Sequence, residues 1–285
     1  MDILIREART EDAGECARIC YEAFRAIAGA HNFAPDFPSI EHATGLYATM
    51  IGRAGCYSVV AEEDGRILGS SLLHEQDIIA GVGPVTVDPA GQNNGVGREL
   101  MRAVMARRTQ RGLPGIRLVQ AGYHLRSLAL YTMLGFETRE HLSCLQGAQI
   151  GKALPGFPVR QATAEDLAAC DALAIRVHGH TRSNELTAGI ARGTATVVER
   201  NGRITAYTSH LGYFGHACAE TTEDLAALIA SASALAGPGI LVPSRNGELL
   251  RWCLGQGLRI TQTMTLMTIG LYNEPAGAYL PSVLY

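Results

Sequence analysis

The sequence predicts an α/β fold, in which mixed sheets are flanked by helices and the whole pattern is laid out twice. Three observations predict it. Short β-branched runs alternate with segments whose apolar residues recur at helical spacing. In residues 84–100 a strand, a glycine-rich loop and a helix start follow one another, reading Pro-Val-Thr-Val-Asp-Pro-Ala-Gly-Gln-Asn-Asn-Gly-Val-Gly-Arg-Glu-Leu. Finally, residues beyond 158 repeat motifs of the first 146.

The bulk numbers fit that picture. With 285 residues, 47% of them hydrophobic, the chain suits two domains of ordinary size with real cores. A formal charge of −3 gives no electrostatic grip on nucleic acid, which needs clustered Lys and Arg. The seven cysteines lack Cys-x-x-Cys spacing, which points to a reduced, cytoplasmic protein. The N-terminus has no basic head followed by an apolar stretch, and no run approaches the roughly eighteen apolar residues that span a bilayer. Neither export nor membrane insertion is expected.

Residues 3–5 read as a strand, and Thr10-Glu11-Asp12 opens a helix whose Ala13, Cys16, Ala17, Cys20 and Phe24 share one face. Cys16 and Cys20 are better core residues than metal ligands, because an i, i+4 thiol pair without further ligands is usually packing. Residues 30–38 form a loop with two prolines and two aromatics, in which Phe33 and Phe37 beside Asp36 and Glu41 either line a ligand pocket or pin a long loop to the core. A helix follows over residues 39–50. Residues 57–61 and 66–73 pair as a hairpin through Glu62-Glu63-Asp64-Gly65.

The next strand, residues 78–87, contains Gly81, Gly83 and Pro84. Such residues inside a strand mark a bulge or a close approach, so this strand is expected to part from its neighbour. The loop then re-enters a helix at Val96. A helix N-terminus carries unpaired N–H groups and roughly half a positive charge, so a loop without bulky side chains lets a phosphate sit on it. Strands over residues 116–119 and from 136 onward enclose a helix over residues 125–134.

Residues 147–157, rich in Gly and Pro, read as a linker between domains at 1–146 and 158–285. Beyond it Val159-Arg160 through Glu165-Asp166 matches Ile5-Arg6 through Glu11-Asp12 at a constant offset, which also aligns Cys170 with Cys16. Val197-Val198 through Ile204 echoes Val59-Val60 through Ile67 with a one-residue gap, and residues 246–258 repeat residues 124–136 position for position.

A dinucleotide fingerprint would place a third Gly at Leu100 and an acid near Gln120, and a Walker A loop would need Gly-Lys-Ser/Thr; neither fits. Gln92-x-x-Gly95-x-Gly97 after a Val-x-Val strand, with Tyr131-x-x-x-Gly135-Phe136 some way on, resembles the GNAT superfamily of GCN5-related N-acetyltransferases over residues 3 to about 146. The resemblance implies a mixed, mostly antiparallel sheet with a splayed central strand pair and acetyl-CoA as co-substrate, with no metal. It implies that Gln92, Asn93, Asn94, Gly95, Val96, Gly97 and Arg98 cradle the pyrophosphate. The backbone of Val85, Thr86 and Val87 would pair with the pantetheine arm and stabilise negative charge on the thioester oxygen. Tyr131 matches the usual general acid, a phenol of pKa about 10 protonating a thiol of about 8.5. His124 stands where the family often has Asn; with Ser127 and Tyr131 it forms one helical stripe, giving further cofactor contacts.

The amine must lose a proton before it attacks, and His74, Glu75 and Asp77 are the nearest acid-base candidates in sequence, with ordered water as the other route. His178-Gly-His180 lacks partners for a metal and reads as structural or solvent-exposed. In the second half, Glu220-Thr-Thr-Glu223-Asp224 replaces the glycine loop, and Cys253 stands where Tyr131 stands. That copy is expected to have lost acetyl-CoA and to shape the acceptor site of the first. The apolar tail, residues 279–285, is expected to pack, with Tyr285 near the acceptor site as a further reading.

The expected activity is acetyl transfer from acetyl-CoA to a primary amine of a small molecule or peptide, by direct attack, with no nucleic-acid or membrane partner. The alternative is a non-catalytic acyl-CoA sensor or interaction protein on the same scaffold.

Overall fold

The computed structural model describes residues 3–284 of the chain. The first half runs β1 (Leu4–Glu7), α1 (Ala13–Ala30), α2 (Ile40–Met50), β2 (Cys56–Glu63), β3 (Arg66–His74), β4 (Ile79–Val87), α3 (Val96–Gln110), β5 (Gly115–Ala121), α4 (Leu125–Met133) and β6 (Glu137–Gln146). The second half runs β7 (Val159–Gln161), α5 (Leu167–His178), α6 (Ser183–Ala191), β8 (Thr196–Arg200), β9 (Arg203–Thr208), β10 (Ala217–Ala219), α7 (Thr222–Ser231), β11 (Ile240–Pro243), α8 (Gly247–Gly255), β12 (Arg259–Gly270) and β13 (Ala278–Leu280).

The repeated sequence is a repeated set of contacts. Arg6 reaches Asp12 at 2.7 Å, and Asp12 Oδ2 accepts from the Arg9 N–H at 2.7 Å, so one carboxylate closes the turn that starts α1. Arg160 and Asp166 do the same at 2.7 Å, with the Thr163 N–H at 2.8 Å. In both places the guanidinium holds the Asp carboxyl below its usual range, about 2 for Asp166.

Two sheets form, but the halves share the larger one. Its order is β1-β2-β3-β4-β5-β12-β6-β11, and the smaller is β13-β10-β9-β8-β7. All pairings are antiparallel except β4 with β5. Strand β12 of the second half lies between β5 and β6 of the first, while β11 of the second half adds to β6. The sequence repeat that matches Phe136 to Leu258 makes Arg259 the counterpart of Glu137, and Thr268 that of Gln146. Glu137 pairs with Thr268 and Arg259 pairs with Gln146, so the central strand pair maps onto itself when the halves are exchanged.

This seam has its own core. Leu142 and Cys144 of β6, Leu241 of β11, and Met264 and Leu266 of β12 pack with Ile79 and Tyr213, all buried. Removing one such leucine side chain costs about 2–5 kcal/mol. A separate cluster, with Leu100, Met101, Val104 and Tyr131, lies under α3 and α4, and a third, with Ile19 and Tyr47, under α1 and α2. Asp77 adds a polar tie between the halves, accepting from the Asn184 N–H at 3.1 Å in the first turn of α6.

Candidate active site

The site begins where β4 leaves β5. The two pair in parallel only over Ile79–Gly81 against Gly115–Arg117. Against β3 the register of β4 shifts between Ser71 and Leu73, and the Gly83–Pro84 peptide is cis. Beyond Gly81, therefore, the β5-facing edge of β4 is without a strand partner. A cavity of about 640 Å³ opens there, lined by Val85, Thr86 and Val87 on one side and by Leu118, Val119, Gln120 and Ala121 on the other.

At one end the cavity meets the glycine loop. Asp88 fixes the loop's start, accepting from the Ala90 N–H at 2.9 Å and pairing with Arg66 at 2.7 Å. Gln92 donates to the Val87 carbonyl at 3.2 Å, and its own carbonyl accepts from Arg126 at 2.5 Å. Asn93 (φ 70°) and Gly95 (φ 84°) take left-handed backbone, which turns the chain into α3. Gly95 is the N-cap and supplies no side-chain cap, so the first-turn N–H groups of α3 face the cavity end with the positive dipole intact. Arg98 and Arg126, the two cationic residues in the lining, both stand at this end.

Inside the cavity, α4 presents the expected stripe. Tyr131 is buried, edge-on to Phe136 at 6.0 Å, and burial pushes its phenol up to about 12 against a smaller opposing contact from Ser127. Ser127 Oγ lies 2.5 Å from His124 Nδ1. Burial, with Arg126 nearby, lowers the His124 imidazole to about 4, so it is neutral at physiological pH. His124 Nε2 and both amide atoms of Gln120 are buried without hydrogen-bond partners among the described residues. Unpaired buried polar atoms are costly, and those of His124 and Gln120 line this same cavity.

Val85, Thr86, Val87, Gln92, Asn93, Gly95, Val96, Gly97, Arg98, His124, Ser127 and Tyr131 all line this cavity. Asn94 is exposed outside the lining. His74 and Glu75 are also outside it. His74 Nε2 donates to the Gly83 carbonyl at 3.0 Å and so braces the split strand. Glu75 is bound to Arg107 at 2.7 Å, with Arg111 at 3.7 Å, at the far end of α3.

The other end of the cavity draws on both halves. Phe24, Ile27, Asp36 and Phe37 come from α1 and the loop after it; Tyr213, Phe214, Met264, Val283 and Leu284 come from the second half. Asp36 and its aromatic neighbours are legible from the loop composition, but the second-half wall is not. Its one sequence signal is Tyr213-Phe214 set between Gly212 and Gly215. The tail reaches the wall by a hydrogen bond from the Val283 N–H to the Tyr213 carbonyl at 2.8 Å, and Leu284 lies against Gly81. Tyr285 lies outside the described residues.

The corresponding place in the second half is closed. Thr221 caps α7, its Oγ1 accepting from the Asp224 N–H at 3.2 Å. Asp224 is fully buried between Arg200 at 3.0 Å and Thr205 Oγ1 at 2.6 Å. Strand β13 pairs with β10 and supplies the partner that β4 lacks in the first half. Cys253 stands buried at the Tyr131 position. His178 and His180 are buried and stacked, ring centroids 5.8 Å apart, not exposed.

Residues 21–136 match the family model described as the acetyltransferase (GNAT) family. Over those residues the chain is similar to a GNAT acetyltransferase domain. Two solved structures are similar to it nearly end to end. One is a protein from Pyrococcus horikoshii classed as an acetyltransferase, at 17% identity over 97% of this chain and 94% of the other, with a TM-score of 0.68. The second is a GCN5-related N-acetyltransferase from Sphaerobacter thermophilus, at 14% identity over 95% and 96%, with a TM-score of 0.60. At such identity the likeness is one of fold, and it spans both halves. A GNAT family acetyltransferase from Brucella melitensis, solved with acetyl-CoA, is 30% identical over 47% of this chain and 82% of its own, with a TM-score of 0.37. No curated protein matches the chain. Among the described residues no helix is long and apolar enough to cross a membrane.

Proposed function

We propose that the chain is a cytoplasmic N-acetyltransferase that moves an acetyl group from acetyl-CoA to a primary amine by direct attack, with no covalent enzyme intermediate. The observation that carries this reading is a single cavity that joins the uncapped start of α3 to Tyr131 through the gap between β4 and β5. When bound, acetyl-CoA supplies a reactive thioester. The backbone of residues 93–98, with Arg98 and Arg126, takes the pyrophosphate. The free edge of β4 at Val85–Val87 pairs with the pantetheine amides as an added strand, and one N–H of that edge donates to the thioester oxygen.

Tyr131 donates its proton along the contact with the departing sulfur. A phenol at about 12 is a weaker acid than a thiol of about 8.5, so the phenol is always protonated beforehand and must be refilled as the sulfur leaves. The proton lost by the newly bonded nitrogen refills it. Ser127 and the neutral His124 hold the phenol in place.

We read residues 1–146 as the catalytic domain, 147–157 as the linker and 158–285 as a degenerate GNAT-like copy that binds no acetyl-CoA. The capped α7, buried Asp224, β13 and Cys253 support that reading. Calorimetry is expected to give one acetyl-CoA per chain; two tight sites would overturn the assignment.

Thiol release from acetyl-CoA across an amine panel tests the activity. Tyr131→Phe should lower kcat by about 10²–10⁴-fold with CoA affinity unchanged. Tight CoA binding with no amine-dependent thiol release would instead make the protein an acyl-CoA sensor.

A further inference from the structure

The charges in the cavity wall are sorted by end. Arg98 and Arg126 stand at the α3 end, and the other end holds Asp36, the one acidic residue among the described residues of the lining. The rest of that end is apolar or aromatic, with Phe24, Ile27 and Phe37 from the first half facing Tyr213, Phe214 and Met264 from the second. Asp36 has no cationic partner among the described residues: burial pushes its carboxyl up to about 6, and the one opposing contact is the Gln262 side chain. A half-buried carboxylate without a cation is destabilised and is relieved by a proton or by a cationic ligand. Gln120, nine-tenths buried where β4 and β5 part, leaves a donor and an acceptor open to whatever enters.

From this juxtaposition, and resting on the acyl-transfer reading above, we propose that the acceptor is a small hydrophobic primary amine without an acidic group, received as its ammonium ion by Asp36 in a chamber that both halves build. Aromatic and aliphatic walls favour an aryl or alkyl body. A second cation would meet no second carboxylate among the described residues, which disfavours polyamines and aminoglycosides. An acidic acceptor, such as a free amino acid, would set a like charge beside Asp36. On the ammonium's arrival Asp36 takes one proton and leaves a neutral pair. The nitrogen lone pair then forms the C–N bond as the C–S bond breaks, and the second nitrogen proton passes through Tyr131 to the sulfur. The products are the amide, the thiol and one proton, which Asp36 returns to solvent.

The test compares 2-phenylethylamine with phenylalanine, which differ by one carboxylate, and n-hexylamine with spermidine. Thiol release is measured for each, with calorimetric binding of the same amines to the CoA-loaded protein. The expected result is kcat/KM at least 10-fold higher for 2-phenylethylamine and n-hexylamine than for their partners. Asp36→Asn should lower it at least 10-fold for both while CoA affinity is unchanged. Turnover that favours spermidine or phenylalanine, or that ignores Asp36→Asn, overturns the acceptor class and leaves acyl transfer standing. Asp36-dependent binding of the hydrophobic amines without thiol release supports the ligand class and removes acyl transfer instead. If these amines are neither turned over nor bound, the proposal is overturned.

Discussion

Replacing Gly81 by alanine should undock the tail from the active-site wall. A Cβ at Gly81 would lie 1.7 Å from the Leu284 carbonyl oxygen and 2.8 Å from its carbon, whereas ordinary contact begins at 3.4 Å. The carbonyl would therefore retreat by about 1.7 Å (3.4 − 1.7). Because the obstructing atoms are backbone, no rotamer change relieves the clash. Retreat loses the hydrogen bond from the Val283 N–H to Tyr213, about 1 kcal/mol. It also loses part of the burial of Val283 and Leu284, both half-buried, about 2 kcal/mol together. The docked tail is thus worth about 3 kcal/mol, and losing it lowers Tm by a few degrees at most, since undocking is local. The assay is a double-mutant cycle of Gly81→Ala with a stop after Ser282, read by thermal melting and by the acceptor KM. Each change alone should raise that KM and leave CoA affinity alone, and the pair should do no more than either. Fully additive effects, or an unchanged acceptor KM in both single variants, would refute the contact as a wall of the acceptor site.

Two further outcomes are expected. Asp224→Ala should destabilise the fold by about 3 kcal/mol, the low end for a broken buried pair because Arg200 reaches solvent, and leave acetyl-CoA stoichiometry at one; urea melts and calorimetry check both parts. Acid should destabilise the protein between about pH 6.5 and pH 4. Burial and Arg117 lower the His180 imidazole from 6.5 to about 4, so over that window the unfolded chain binds the proton and the folded chain does not. The loss approaches about 3 kcal/mol for this buried group alone. Asp36, raised to about 6, works in the opposite sense between about pH 6 and pH 4 and offsets most of the His180 loss; the net sign stays destabilising because burial lowers the His124 imidazole to about 4 as well. A melting temperature that rises steadily from pH 6.5 to pH 4 would refute the assignment.

What the sequence discloses follows the range of the interactions involved. The Gln92–Gly97 loop is legible because its requirements are local: small residues, left-handed backbone at Asn93 and Gly95, and no cap on the next helix. The hairpin of β2 and β3 is legible for the same reason. The Arg6–Asp12 and Arg160–Asp166 ties made the repeat visible, since each sits within seven residues of chain. Partner choice is another matter. The alternation over residues 261–268 marks a strand, yet nothing in it says that Met264 faces Ala121 across one edge and Leu142 across the other. The second-half wall of the cavity was hidden in the same way, because Tyr213, Met264 and Leu284 reach the cavity only through that pairing and the path of the tail. Glu75 shows the converse error, in which closeness in sequence to the split strand suggested chemistry, while the side chain is held by Arg107.

The interleaved sheet has a consequence for how the two copies were free to change. With β6 and β12 paired about their own midpoint and each giving its outer edge to the other half, the layout is that of an isologous, strand-exchanged dimer written into one chain. In a true homodimer every substitution appears twice, so a carboxylate that seals one phosphate cradle seals both. Joining the copies lifts that constraint. On the proposed reading of the second half as a degenerate copy, one position can stay glycine while its counterpart becomes Thr221 or Asp224, and that copy can serve as a wall for the other. Symmetry is kept where the backbone pairs and abandoned at the cavity.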